Sequence, residues 1–322
     1  MIGDALFVFL GLAVLLVGGD LLVRGAVGLA NFAKIPALLV SLTIIAFGTS
    51  APELVVSVTA VFEKTPGIAI GNIVGSNIAN LLLVLGLPAL VYPISTQVDG
   101  LRRHAVVLVI ATGLFASVAY VAEALTAPIG AMLFGGIITY VSFLAWMARK
   151  SRVRDPVIDE VAEYSDGGAT SPGSAIAYLA AGLIGLPIGA DILVTHGSEM
   201  ARELGVRAEL IGLTVVAFGT SLPELATVAA AALRKRSEVA IGNVIGSNIF
   251  NIFAVGGAVG LVGGAPIGAA TLRFELPIMI ATSCAVAAYI LMRRDVGRIS
   301  GLIFLSAYAA FIAALFLGGT GQ

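Results

Sequence analysis

Long apolar stretches follow one another along this chain, each cut from the next by charged or Pro/Gly-rich punctuation. Ten of them can be marked, at approximately 5–29, 37–62, 67–93, 104–122, 126–148, 174–200, 208–233, 238–263, 274–293 and 299–318. A helix needs about 20 mostly apolar residues to cross the hydrocarbon core of a bilayer. The pattern therefore predicts an all-α polytopic membrane protein with ten transmembrane helices. The only connection of any length is 149–172. The first stretch lacks the basic start and small-residue cleavage site of a signal peptide and carries Asp4, so a retained first span is expected.

Composition strengthens this picture. Of 322 residues 59% are hydrophobic, 39 more are glycine, and 11% are charged, against about 25% charged in a soluble domain. Too little polar surface exists to coat a water-soluble globule of this size. The net charge of −1 offers no basic field for nucleic acid, and a single Cys284 excludes a disulfide framework or a cysteine zinc cluster. No cofactor and no obligate protein partner is inferred. Two histidines, His104 and His196, leave little for histidine-based catalysis.

Basic residues orient the spans. One set of alternate loops holds 14 (Arg24, Lys34, Arg102, Arg103, Arg149, Lys150, Arg152, Arg154, Arg234, Lys235, Arg236, Arg293, Arg294, Arg298) and the other holds 4 (Lys64, Arg202, Arg207, Arg273). By the positive-inside rule the richer set is cytosolic, which puts both termini outside a plasma membrane. The 149–172 loop then lies in the cytosol. Its acids, Asp155, Asp159, Glu160, Glu163 and Asp166, lack the regular spacing of a calcium loop and read as a solvated linker.

Self-similarity is the strongest signal in the chain. TIIAFGTSAPEL at 43–54 recurs as TVVAFGTSLPEL at 214–225, matching at 9 of 12 positions, and GNIVGSNIAN at 71–80 recurs as GNVIGSNIFN at 242–251, matching at 7 of 10. Both pairs are offset by 171 residues, as is a weaker match of Gly18, Asp20, Leu22 and Val23 with Gly189, Asp191, Leu193 and Val194. The expected organisation is a first transmembrane repeat at 1–148, a cytosolic linker at 149–172 and a second repeat at 173–322. Five spans per half is an odd number, so the second copy lies upside down relative to the first. Inverted repeats are the architecture of secondary transporters, whose substrates bind near the midplane where broken helices of the two halves meet.

The repeated residues suit that chemistry. Between Pro36 and Phe62 the sole ionisable side chain is Glu53, ten residues from Glu63, which is about 15 Å of helix and half of a ~30 Å core. Glu224 stands ten residues before Arg234. Each carboxylate costs about 2.5–3.5 kcal/mol or more at that depth, and such residues mark ion or proton paths rather than packing. Pro52 and Pro223, beside Gly-Thr-Ser, predict breaks that free carbonyls and expose the hydroxyls of Thr49, Ser50, Thr220 and Ser221. Helical spacing puts Ala46, Ser50 and Glu53 on one face, and likewise pairs Ser76 with Asn80 and Ser247 with Asn251. Oxygen donors without Cys or His suit sodium, calcium or, less naturally, magnesium. Two carboxylates are neutralised by one calcium or by two sodium ions, which makes these cations competitors for one place.

At these residues the sequence resembles the sodium/calcium exchanger family of the cation/calcium antiporters, above all its compact prokaryotic members; the paired GTS(x)PE and GN(x)(x)GSN signatures carry the resemblance. It implies a sodium/calcium antiporter with a site made by the carbonyls of Ala46 and Thr49 with Ser50, Glu53, Ser76 and Asn80. Ala217, Thr220, Ser221, Glu224, Ser247 and Asn251 would take the same roles in the second repeat. The structurally known prokaryotic exchangers look to have Asp where this chain has Asn251, a departure that bears on ion stoichiometry.

Other features read more plainly. Asp20 has Arg24 four residues on as a ready partner, whereas Asp191 has Thr195, and a structural or interfacial role is expected for both aspartates ahead of the alternative of a gating role. His196 reads as packed. Gly71/Gly75 and Gly242/Gly246 form GxxxG pairs expected to let the second, third, seventh and eighth spans approach closely. A calcium/proton antiporter of the same fold, with Glu53 and Glu224 as proton carriers, is the alternative to sodium coupling. An intramembrane metalloenzyme is disfavoured, since no HExxH, Ser/His or Cys/His constellation exists.

Overall fold

The computed structural model describes residues 2–150, 169, 171–203 and 217–318. Most of the 149–172 linker with its acids, Arg207, residues 208–216 of the seventh expected span and the last four residues lie outside them. Two long helices, α1 (Ile2–Ala33) and α7 (Pro172–Glu203), run to 32 residues each. At 1.5 Å per residue that is about 48 Å, more than a bilayer core requires. They pack along one another through glycine. A Cβ on Gly11 would stand 2.9 Å from the Gly189 carbonyl oxygen, and one on Gly182 would stand 2.8 Å from that of Gly18. Small residues let two backbones approach closely where apolar burial gives no drive.

The centre is built by α2 (Ala37–Thr49), α3 (Ala51–Phe62), α4 (Pro66–Val91), α8 (Ala217–Thr220), α9 (Leu222–Leu233) and α10 (Ser237–Val262). Helices α4 and α10 are 83% and 89% buried over their most apolar windows, against 17–39% for the other long helices, so these two form the core. Around it stand α5 (Leu101–Ala122), α6 (Ala127–Lys150), α11 (Thr271–Leu291) and α12 (Arg298–Gly318), with apolar side chains such as Ile110, Trp146 and Ile299 turned outward, as lipid allows. Eight described helices are long and apolar enough to cross a bilayer alone, and α2 with α3, bent by 41°, pass that test as a pair.

The 171-residue period survives folding in element bounds and contacts. It relates α3 to α9 and α4 to α10, and it relates two π-helical turns inside the core helices, Asn80–Val84 and Asn251–Val255. The short antiparallel pair β1 (Ala124–Leu125) and β2 (Ala265–Pro266) aligns Leu125 with Ala265, and the isolated bridge of Ile94 with Val296 repeats that pairing at the same offset. Lys64 and Lys235 both turn the chain with left-handed φ of 60° and 57°.

Both proline breaks form as expected. Ser50 (φ −86°, ψ 4°) and Ser221 (φ −88°, ψ 2°) leave helical geometry, and Pro52 and Pro223 occupy the first turn of the helix that follows, where a missing N–H costs little. The expectation of one continuous face for Ala46, Ser50 and Glu53 needs correction. Ala46 lies in α2, Glu53 in the first turn of α3 and Ser50 at the joint, because the break re-aims the chain between them.

Candidate cation-binding site

Glu53 and Glu224 begin α3 and α9, directly after the two breaks, and are 1% and 0% exposed. Glu224 Oε1 accepts hydrogen bonds from Ser50 Oγ at 3.0 Å and Ser247 Oγ at 3.4 Å, and Ser247 Oγ lies 3.4 Å from Thr49 Oγ1. Residues of both sequence motifs, from both halves, thus meet on one carboxylate. Thr49 Oγ1 also donates to Asn243 Oδ1 at 3.2 Å, and Thr220 Oγ1 makes the matching bond to Asn72 Oδ1 at 3.5 Å.

The atoms left over define the site. Among the described residues no hydrogen-bond partner exists for either Glu53 carboxylate oxygen, Glu224 Oε2, Ser221 Oγ, or the amide atoms of Asn80 and Asn251, all buried. A buried carboxylate without a partner is expensive, and a hard cation supplies what these oxygens lack. Carboxylate, carboxamide and hydroxyl donors fit sodium or calcium and suit no thiophilic metal. The Ala46 carbonyl accepts from Ser50 N at 3.0 Å, and Thr49 Oγ1 lies 3.4 Å from it. Ala217 opens α8, at the position matching Ala46 in α2.

The structure does not join all twelve expected residues directly. Thr49, Ser50, Glu224 and Ser247 share one hydrogen-bonded network, and Ser76 and Thr220 meet on Asn72, 3.5 Å from each. Asn80, Asn251 and Ser221 are buried at helix joints without a hydrogen bond to the rest.

Sequence reasoning missed Asn72 and Asn243. Asn72 Nδ2 donates to the Glu53 carbonyl at 3.1 Å and to Ser57 Oγ at 2.9 Å, so it fixes the first turn of α3 from across the core. The signal was available, because both asparagines sit in the repeated GN(x)(x)GSN motif four residues before Ser76 and Ser247, on the same helix face. The π-helical turns that open at Asn80 and Asn251 were not foreseeable from residue types. Such turns concentrate at functional sites because the extra residue releases a backbone carbonyl and re-aims side chains.

The glycine expectation is met at Gly242 and Gly246. A Cβ on Gly246 would meet Ala46 Cβ at 2.6 Å and Leu42 Cα at 3.0 Å, whereas Gly71 is exposed and no described residue comes within 4 Å of a Cβ placed on Gly71 or Gly75. The counterparts of Leu38, Ser41 and Leu42, at 209, 212 and 213, lie outside the described residues. Outside the site, Asp20 pairs with Arg24 at 2.8 Å as the spacing predicts, and also with Arg234. His196 stacks on Phe7 at 4.3 Å and meets Asp4 at 3.2 Å, a packed histidine.

The model of the sodium/calcium exchanger protein family matches residues 4–148 and 174–317. A sodium/calcium exchanger, MaX1, of Methanosarcina acetivorans is 33% identical over 97% of this chain and 98% of its own length. A protein of Alkalimonas amylolytica named for antiport, CaxA, is 34% identical over 98% of this chain and 99% of its own. Among solved structures, the sodium–calcium exchanger NCX_Mj superposes with a TM-score of 0.83 at 30% identity, covering 97% of this chain and 98% of that one.

Proposed function

The chain belongs to the sodium/calcium exchanger family and is a multi-pass membrane protein built for cation/calcium antiport, and from that premise we propose that it exchanges sodium for calcium by alternating access at the site described above. The observation that carries this reading is the pair of buried carboxylates, Glu53 and Glu224, whose uncommitted oxygens no described residue satisfies, together with the equally uncommitted buried amides of Asn80 and Asn251. Their formal charge of −2 balances one calcium or two sodium ions, so occupancy by one excludes the other. Ala46, Thr49, Ser50, Glu53, Ser76 and Asn80 with Ala217, Thr220, Ser221, Glu224, Ser247 and Asn251 are the proposed ligand set. The peripheral pair α1 and α7 is the proposed moving part, since it packs on itself through glycine along its length.

The proposal includes ten spans in two inverted five-span repeats, at 1–148 and 173–322, with both termini outside a plasma membrane. The offset of 171 residues supports it, and so do the 14 against 4 basic residues of alternate loops. Cysteines introduced at Ser151 and Thr320 in a Cys284→Ser background are expected to be labelled from opposite sides of the membrane. Labelling of both from one side would remove the inverted arrangement.

Calcium flux into liposomes tests the coupling ion. A sodium gradient at fixed pH is expected to drive it; a response only to a pH gradient without sodium would assign the protein to calcium/proton exchange. Potassium is expected to have no part. Carrying it with calcium would place three positive charges against the two carboxylates, and a leftover buried charge is expensive. Asn80 and Asn251 are neutral amides able to coordinate without adding charge. Replacing external potassium by choline at clamped potential should leave flux unchanged, and Asn251→Asp should alter cation affinity or bring potassium sensitivity. A strict potassium requirement in the wild type would overturn the charge count.

A further inference from the structure

The two halves match in their elements but differ in how α1 and α7 cover them. Helix α1 crosses α9 so closely that a Cβ on Gly19 would stand 2.7 Å from the Ala226 carbonyl oxygen and 3.3 Å from Thr227 N. At the matched place, 171 residues away, the residue corresponding to Gly19 is Ala190 and that corresponding to Ala226 is Val55. Ala226 is 8% exposed and Val55 is 63% exposed. Thr59 is likewise exposed while its counterpart Ala230 is buried. Among the described residues the α9 side is closely covered by α1 and the matched α3 side is not, so the two halves are covered unequally.

The charges follow the same asymmetry. Beside the Gly19 crossing, Asp20 is held between Arg24 of its own helix, at 2.8 Å, and Arg234 at the end of α9. The positions matching Asp20, Arg24 and Arg234 carry Asp191, Thr195 and Glu63. Two acids and a threonine have no ion pair to make among themselves, so the pairing of Asp20 with Arg24 and Arg234 is not repeated at the matched positions. We propose that Asp20 and Arg234 form a one-sided electrostatic latch that holds the face bearing Arg234, Lys235 and Arg236 shut, and that this pair parts each time that face opens. Arg24 keeps Asp20 aimed after the pair separates. The inference rests on the alternating-access reading above. The shut face is the cytosolic one if the loop charges orient the chain as proposed.

The two side chains are about a third exposed, 34% for Asp20 and 29% for Arg234, so the latch biases an equilibrium and does not lock it. Losing about 1 kcal/mol of such pairing shifts a two-state population about five-fold.

The test uses full-length protein with Cys284→Ser and a reporter Ala226→Cys, with Ala230→Cys as a second reporter, reconstituted in liposomes. A water-soluble maleimide is expected to react with either reporter about five-fold faster in Arg234→Gln or Asp20→Asn than in the parent. Arg234→Lys, which keeps the charge, should return the rate toward the parent value, a rescue that lost packing alone would not give. Unchanged labelling in both Arg234→Gln and Asp20→Asn would overturn the latch. Sodium-driven calcium uptake by the parent is measured in the same vesicles. Its absence would overturn the exchange reading, while the labelling rates would still judge the latch.

Discussion

Glu53→Gln and Glu224→Gln are each expected to reduce calcium exchange at least about 100-fold while leaving the protein folded and inserted. Glutamine keeps the size of glutamate and removes the charge. With one carboxylate gone, a bound calcium ion retains a positive charge that no neighbouring group balances, in a region where Glu53 and Glu224 are 1% and 0% exposed. A buried unpaired charge costs several kcal/mol, and about 2.7 kcal/mol already corresponds to a factor of 100 in affinity. Folding should survive. In Glu224→Gln the amide oxygen can still accept from Ser50 and Ser247, the hydroxyls that bond Glu224 at 3.0 and 3.4 Å. Glu53 makes no side-chain hydrogen bond to a described residue that the substitution could break. Sodium-driven calcium uptake by reconstituted protein, beside size-exclusion profiles in detergent, measures both halves of this expectation. Parent-level flux in either purified variant would sink the assignment of the carboxylates.

The second large effect concerns packing at the site rather than its charge. Gly246→Val is expected to abolish exchange and lower the thermal midpoint in detergent by several degrees. A Cβ at 246 meets Ala46 Cβ at 2.6 Å, Leu42 Cα at 3.0 Å and the Leu42 carbonyl oxygen at 3.1 Å. Two of these are backbone atoms, which have no rotamer to escape into, and overpacking of this kind costs about 1–3 kcal/mol or more. The displaced segment carries Ala46 and leads into Thr49 and Ser50, so a shift there moves proposed ligands directly. A Gly246→Val protein with parental midpoint and flux would show that α2 can give way where α10 crosses it.

Much of this molecule can be read without coordinates, for identifiable reasons. Glu53 and Glu224 stand out because an ionisable residue deep in an apolar stretch is costly and so rarely incidental. The breaks before them follow from Pro52 and Pro223, whose rings remove a donor and cannot continue the preceding turn. Asn72 was overlooked in favour of Ser76 and Asn80 because helix spacing assigns all three to related faces without saying which side chain reaches across the core. Its bond to the Glu53 carbonyl depends on how α4 and α3 cross.

The sequence by itself determined the membrane class, the repeat and the identity of the buried oxygen donors. Each of these is a property of residue type and spacing along one chain, governed by the cost of polar groups in lipid and by the geometry of a single helix. The tertiary structure alone decided which donors meet on one carboxylate, where π-helical turns open at Asn80 and Asn251, and how closely Gly246 meets Ala46. It also decided that α1 lies down on α9 while the matched place at Val55 stays open. Two nearly identical halves encode nearly identical local structure. Whether their contacts are equal is settled between helices, where small differences such as Arg234 against Glu63 tip the balance of packed arrangements.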